Sequence, residues 1–423
     1  LSPTDPPAAR RFAALLCLML AGEAIFSLPF HVARFFRPTL LEALGLGNAA
    51  LGDAFAAYGV CAMLCYFPGG MLADRWSARS LMTCALLATA AGGLWFASLP
   101  AAGQLKLLYA YWGVTTILPF WAALIRATRE WGGALAQGRA FGLLDAGRGL
   151  VAAVLAGIAV SVLGHAVHGT ADDTDGLRRV ILFYTALTAA AGVLAWWTMP
   201  ATRDTAAVYA PGRLLAQLRG ALRLPLVWRQ AAIVAAAYCG YKGVDNYALY
   251  AVQVIGMEQL EAARFVANAA WLRPAAALAA GLLADRWRAS ASLGVLFVLA
   301  AASYAWLGTA VGGAARGVLL GNLLVSVAAV YGLRGVYFAA LEESRVPLGQ
   351  TGGAVGLISV VGYTPDVFFA PIAGRLLDAA PGATGHRHYF LLLAAIAALG
   401  AVCSWALHRR LRRRHGASSA GIA

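Results

Sequence analysis

Twelve apolar stretches, separated by short breaks rich in charge, glycine or proline, constrain this chain more than any other feature of it. They fall at 12–41, 49–73, 80–99, 105–126, 138–166, 179–199, 229–254, 263–284, 291–311, 315–341, 350–377 and 388–408. A bilayer-crossing helix needs roughly 20 apolar residues and must bond its backbone internally, because hydrocarbon offers no partners. Of the 423 residues, 61% are hydrophobic and 12% charged, whereas soluble domains carry about 25% charged residues. A soluble globular fold, a disordered chain and a coiled coil are therefore excluded. The expected fold is an all-α integral membrane protein with twelve transmembrane helices. Cys17, Cys61, Cys65, Cys84, Cys239 and Cys403 lie inside apolar stretches and read as small hydrophobes.

The formal charge of +14 is spread along the chain. With the first stretch leaving the cytoplasm, about 20 Lys and Arg fall in inward segments and about 6 in outward ones, the asymmetry that orients multi-span proteins. Both termini are then cytoplasmic. Arg409, Arg410, Arg412, Arg413 and Arg414 follow the last stretch as an anchor near anionic lipid, and no nucleic-acid partner is expected. Arg10 and Arg11 before the first stretch resemble a secretory leader, but no small-residue cleavage site follows. The segment is read as a retained first helix.

Gly70-Met71-Leu72-Ala73-Asp74-Arg75-Trp76 recurs as Gly281-Leu282-Leu283-Ala284-Asp285-Arg286-Trp287, an offset of 285 − 74 = 211 residues. Each copy ends an even-numbered stretch and opens a turn, so the halves are repeats of one six-helix unit. The expected organisation is 1–200 as a first bundle, 201–228 as a cytoplasmic linker with a short surface helix, 229–409 as a second bundle and 410–423 as a basic tail. The linker carries Arg203, Asp204, Arg213, Arg219 and Arg223.

The Gly70, Leu72, Ala73, Asp74 and Arg75 pattern, with Arg79 beyond it, resembles the loop signature of the major facilitator superfamily; Gly281, Asp285 and Arg286 form its weaker second copy. The resemblance covers the whole chain. It implies two pseudo-symmetric six-helix bundles, a substrate site near the midplane between them and rocking-type alternating access. It also implies that Gly70 lets helices pack closely, while Asp74 and the arginines make a cytoplasmic contact that breaks and reforms.

Ionisable side chains at mid-bilayer cost about 2.5–3.5 kcal/mol on insertion scales, so those inside the stretches point to function. They are Glu23, Arg34, Asp145, Arg148, Lys242, Asp245, Arg273, Arg334 and Asp366. Arg34 shifted by the repeat offset falls within three residues of Lys242, and Arg126 shifted likewise falls three from Arg334. Paired cations suit an anion bound between them. Two i,i+3 pairs, Asp145 with Arg148 and Lys242 with Asp245, offer local neutralisation instead. Arg34 has no such neighbour within a turn. Glu23 reads as a packing residue or a proton carrier. Arg273, before Pro274, reads as structural.

A closer resemblance is to the organophosphate:phosphate antiporter branch of that superfamily. Arg34, in His31-Val32-Ala33-Arg34 followed by Gly52-Asp53, matches its first-helix phosphate-binding arginine. Lys242, in Tyr241-Lys242-Gly243-Val244-Asp245, stands where the branch has a second arginine. Arg148 stands at a site histidine, Asp145 at an asparagine, Arg126 at a fourth-helix arginine and Tyr363 at an eleventh-helix tyrosine. Lysine for arginine replaces a planar fork by a point charge, which opens the site to sugar acids, other carboxylates and sulfonates as well as phosphate esters. Tyr363-Thr364-Pro365-Asp366 has no counterpart in the branch, and Pro365 suggests a hinge.

The expected function is secondary active transport of a small organic anion across the inner membrane, by a monomer that is not an enzyme and carries no cofactor. Arg34, Lys242, Arg148 and Tyr363 would bind substrate. Glu23, Asp145, Asp245 and Asp366 would carry the coupling proton or act as counter-ions; exchange for a counter-anion is the other form of coupling. Arg126, Arg334 and Arg273 would be structural or edge the site. A proton-driven exporter of hydrophobic or cationic compounds is the first alternative, and a transporter-like anion sensor the second. His165, His168, His386 and His388, with Asp172, Asp173 and Asp175, sit in outward loops without metal-binding spacing, so no metal site is expected.

Overall fold

A computed structural model describes residues 8–132, 137–168, 173–201, 219–220, 222–310, 314–343 and 348–420. Asp172 and most of the expected linker, with Arg203, Asp204 and Arg213, lie outside them, as do the side chains of His168 and Arg414. The described chain is helical throughout. The first half contains α1 (Ala8–Phe26), α2 (Val32–Phe35), α3 (Arg37–Leu44), α4 (Asn48–Arg75), α5 (Ala78–Ala97), α6 (Ala102–Thr116), α7 (Ala122–Gly132), α8 (Gln137–His168) and α9 (Asp173–Thr198). The second contains α10 (Pro225–Gly243), α11 (Tyr247–Gln253), α12 (Gln259–Ala269), α13 (Leu272–Trp287), α14 (Ala289–Thr309), α15 (Arg316–Val336), α16 (Ala339–Glu343), α17 (Leu348–Gly362), α18 (Pro365–Ala379) and α19 (Ala383–Ala420).

Eleven helical runs among the described residues are long and apolar enough to cross a membrane. Their outer faces carry Leu64, Phe67, Leu94, Leu107, Trp197 and Leu278, as lipid contact requires. The remaining expected stretch, the seventh, is helical but broken: α10 ends at Gly243, a 3-10 turn covers Val244–Asn246, and α11 follows. The break frees the Gly243 carbonyl, which accepts a hydrogen bond from Tyr389 Oη at 2.6 Å.

Two compact units emerge. One comprises Leu1–Val208 with Met257–Trp271, the other Tyr209–Gly256 with Leu272–Ala423. The eighth span is therefore shared, α12 belonging to the first unit and α13 to the second. In unit 1, α12 is held by Gln259, which donates to Glu42 Oε2 at 2.6 Å and accepts from Thr39 Oγ1 at 2.5 Å. The apolar core of that unit draws on α1, α5, α7 and α9, with Leu18, Ile25, Met82, Leu86, Leu124 and Ala191.

Proline shapes two spans of unit 1 in the same way. Ser27–His31 (Ser-Leu-Pro-Phe-His) and Ile117–Trp121 (Ile-Leu-Pro-Phe-Trp) are both π-helical turns. Proline cannot donate its backbone bond, and a wider turn absorbs the residue that would otherwise clash.

The close-packing role expected of Gly70 is not what the structure shows, and its repeat counterpart Gly281 packs no closer. A Cβ at either would meet nothing within 4 Å. The tight position is Gly69, where a Cβ would lie 2.8 Å from the Leu118 carbonyl oxygen at the second π-turn. Gly70 faces away from that contact. Pro365 likewise does not kink a continuous helix: α17 ends at Gly362, and Pro365 opens α18 in the first turn, where its missing N–H costs little.

Candidate functional site

Unit 1 gathers one carboxylate and two bases. Glu23 is 3% exposed and His31 4%, and His31 Nε2 lies 3.1 Å from Glu23 Oε1. In a regular α-helix eight residues turn about 800°, which would leave the two side chains roughly 80° apart. The π-turn takes up one extra residue, so His31 comes back to the face of Glu23. From α8, Arg148 Nε reaches Glu23 Oε2 at 3.2 Å. Its stem passes Gly22, where a Cβ would sit 3.1 Å from Arg148 Cδ, and Met19 lies against Gly147 on the facing side. The guanidinium stands 5.7 Å from the Phe26 ring and 6.0 Å from Trp121, the last residue of the second π-turn. The His31 ring meets Phe35 and Tyr184 edge-on at 5.5 and 5.9 Å.

Unit 2 gathers one base and two carboxylates. Lys242, 3% exposed, sits in the last turn of α10 with Nζ 3.3 Å from Asp366 Oδ1 and 3.7 Å from Asp245 Oδ2. Tyr238 donates to the Asp366 carboxylate at 3.0 and 3.1 Å, and its ring lies 4.9 Å from Tyr363. The Tyr363 and Tyr337 hydroxyls are 3.3 Å apart. Arg334 stacks on the Tyr241 face at 4.0 Å. Tyr363, Asp366 and Lys242 are thus brought together, while Arg334 stands one ring away.

Several expectations change. The i,i+3 spacing pairs Arg148 with Asp145, yet Arg148 also bridges to Glu23, 148 − 23 = 125 residues away on another helix; Asp145 is part-buried one turn earlier on α8. The i,i+3 pair of Lys242 and Asp245 does form, with Asp366 as a second carboxylate that spacing does not reveal. Arg34 is buried, but it sits in the last turn of the first span, Ala9–Phe35, and not at its middle. The strict repeat partner of Lys242 is 242 − 211 = 31, which is His31. Sequence reasoning passed over His31; the exact offset and the repeated Leu-Pro-Phe were the signals that mark it.

The remaining cations sit elsewhere. Arg126 bonds Glu130 at 2.7 Å and caps the Ala73 carbonyl near the end of α4, also at 2.7 Å. It therefore fastens the first signature copy. Arg273 is buried in the first turn of α13, beside Pro274. Asp74, Arg75, Asp285 and Arg286 are exposed, while Arg79 stacks on Trp196 at 4.0 Å. In the second copy, Ser290 takes the place of Arg79 (290 − 211 = 79). Its N–H and Oγ both reach Glu343, and Oγ meets His408 Nδ1 at 3.0 Å. His386 is no loop residue: it is fully buried in α19 against Gln253 Oε1 at 3.0 Å. His165 is exposed and bonds the Ser161 carbonyl within α8.

A many-span helical chain with buried ion clusters and proline-broken helices is the architecture of a membrane transporter. Residues 18–365 match the family model of the Major Facilitator Superfamily. The chain belongs to that family and is a multi-pass membrane protein. It is 25% identical over 402 residues to the inner membrane protein YqcE of Escherichia coli (strain K12), covering 93% of each chain. It is 27% identical over 420 residues to YihN of the same organism, covering 96% of this chain and 97% of the relative. Among solved structures, it aligns with a bacterial homologue of the human lysosomal transporter Spinster, inward-facing and unoccupied, at a TM-score of 0.74 and 13% identity over 96% of this chain and 99% of that one. With the nucleoside transporter NupG the TM-score is 0.66 at 12% identity, over 94% and 98%. At such identities these two show a shared fold.

Proposed function

We propose that this chain is a secondary active transporter of a small organic anion, such as a carboxylate, sugar acid, sulfonate or phosphate ester. It works in the inner membrane by alternating access, as a monomer with cytoplasmic termini. The observation that carries the reading is Lys242, a buried ammonium held between Asp245 and Asp366. An ion in a span is costly, and an ammonium shared by two carboxylates has one more acceptor than neutrality needs. When Asp366 takes a proton or swings aside, an incoming anion replaces one carboxylate by another acceptor. Binding then avoids the penalty of a bare buried charge, and the loss of the Asp366 contact supplies the differential interaction that a conformational change requires.

Arg148 and Arg34 of unit 1 serve as further anion partners, and Tyr363 steadies Tyr238 against Asp366. Glu23, Asp145, Asp245 and Asp366 are the proton carriers or counter-ions; Asp74, Arg75, Arg79, Asp285 and Arg286 act in gating. The test is a thermal-shift panel on the purified full chain, using gluconate, glycerol phosphate, isethionate and succinate at two pH values. One of these stabilises the protein, more strongly at the lower pH, and Lys242→Gln abolishes the effect. Uptake into vesicles then separates transport from sensing.

A second reading has its own support: two carboxylates to one ammonium, ringed by Tyr238, Tyr241 and Tyr363, also suits a cationic or hydrophobic compound exported against protons. Stabilisation by tetraphenylphosphonium, and by none of the anions, would favour it.

A further inference from the structure

We propose that Glu23, His31 and Arg148 form a second ion site in which His31 takes up one proton for each anion that binds. The inference rests on the anion reading above. His31 Nε2 is committed to Glu23 Oε1, so the neutral ring donates from Nε2 and carries its lone pair on Nδ1. Among the described residues Nδ1 is buried without a hydrogen-bond partner, as is the Tyr184 hydroxyl on the ring's edge. Nδ1 is thus the atom that receives the proton.

The charge count decides when this happens. With His31 neutral, Glu23 and Arg148 cancel and the cluster carries no net charge. A proton alone would leave it at plus one, and an anion alone at minus one, each costly in a low-dielectric interior. Together they leave it neutral. Proton and anion therefore bind with positive linkage, and the linkage is reciprocal.

Among the described residues, the ionisable groups on the elements packed around the ring are these, with part-buried Asp145 one turn before Arg148 on α8. Glu23 lies on α1, Arg148 on α8 and the neutral Tyr184 on α9. α5 also packs on this turn, with Gly93 against Leu28, but its ionisable residues, Arg79 and Cys84, lie two turns or more before Gly93. Arg34, one turn on, is a fixed cation that favours the anion and does not titrate.

The repeat supports the assignment. His31 occupies the position that Lys242 fills in the second half, so a permanent cation in one unit is matched by a titratable one in the other.

The experiment measures anion binding to the full chain in nanodiscs across about pH 5 to 8, with the panel anion that stabilises the protein best. Apparent affinity should rise about tenfold per unit fall in pH, with one proton taken up per anion. His31→Gln should leave weak binding with no pH slope and no proton uptake. His31→Lys should bind tightly without a pH slope and lose proton-driven accumulation. A slope that survives in His31→Gln would overturn the proposal and place the proton elsewhere. If no panel anion binds the wild type, the anion reading itself fails. The His31 site is then judged alone by ¹⁵N-histidine NMR of the same sample, assigned by the signal lost in His31→Gln; a ring that stays neutral without an anion is the expected result, and one already charged across this range overturns it.

Discussion

The two ion clusters invert one another. Unit 1 sets two bases around a single carboxylate, Glu23, whereas unit 2 sets two carboxylates around a single base, Lys242. The first is neutral as it stands and gains charge by taking a proton; the second becomes neutral by taking one. Sequence repetition has therefore preserved the position of a basic residue, His31 or Lys242, while reversing the balance around it. On the reading proposed above, two copies of a fold divide the work of binding an anion and holding a proton without sharing a residue type.

The largest effect that would break this comparison is at Lys242. Lys242→Gln leaves Asp245 and Asp366 facing each other in a buried site, and removing one partner of such a group costs about 3–5 kcal/mol. Thermal unfolding in detergent should show that loss, and the double variant with Asp366→Asn should recover most of it. Arg148→Met exposes the weaker point of unit 1. Because Arg148 keeps some solvent contact and His31 still bonds Glu23, the expected loss is smaller, about 2 kcal/mol, and Glu23→Gln should restore it. A third test concerns the helix contact beside the signature. Gly69→Ala should cost about 1–3 kcal/mol by driving a methyl into the Leu118 carbonyl, whereas Gly70→Ala should stay within about 0.5 kcal/mol. If the two behave alike, the contact is misassigned.

The smallest effects compare the signature ends. Ser290→Ala removes the Oγ bonds to Glu343 and His408 and keeps the backbone N–H bond to Glu343, a loss of about 1 kcal/mol. Arg79→Gln removes stacking on Trp196, worth about 0.5–1 kcal/mol at a part-exposed position. Melting curves of both variants would show whether the copies are fastened with equal strength.

Much of the fold was legible because lipid imposes a simple rule: spans must be long, apolar and internally bonded. Eleven of the twelve stretches became span-length helical runs, and the exception, at Val244–Asn246, is interrupted where glycine and polar residues cluster. The site was legible in part. Lys242 with Asp245 followed from i,i+3 spacing. Asp366 and Glu23 were visible as charges but not as partners, since nothing local tells a helix which neighbour it will face. His31 was hidden because a histidine one turn before an arginine draws less notice, and because its alignment with Glu23 depends on a π-turn that α-helical periodicity does not anticipate. Gly70 misled for a related reason: adjacent glycines differ by about 100° around a helix, and composition alone does not say which one meets its neighbour.

The amino-acid order alone determined that this chain lives in a bilayer, that it is built twice over, and which few ionisable groups it carries into apolar surroundings, since hydrophobic length and repetition are properties of the string. Apart from the i,i+3 pair of Lys242 and Asp245, tertiary structure alone decided which of those groups neutralise one another. Charges in a low dielectric are ruled by distances of a few ångströms between separate helices, and those distances are set by packing, proline turns and the glycines where helices touch.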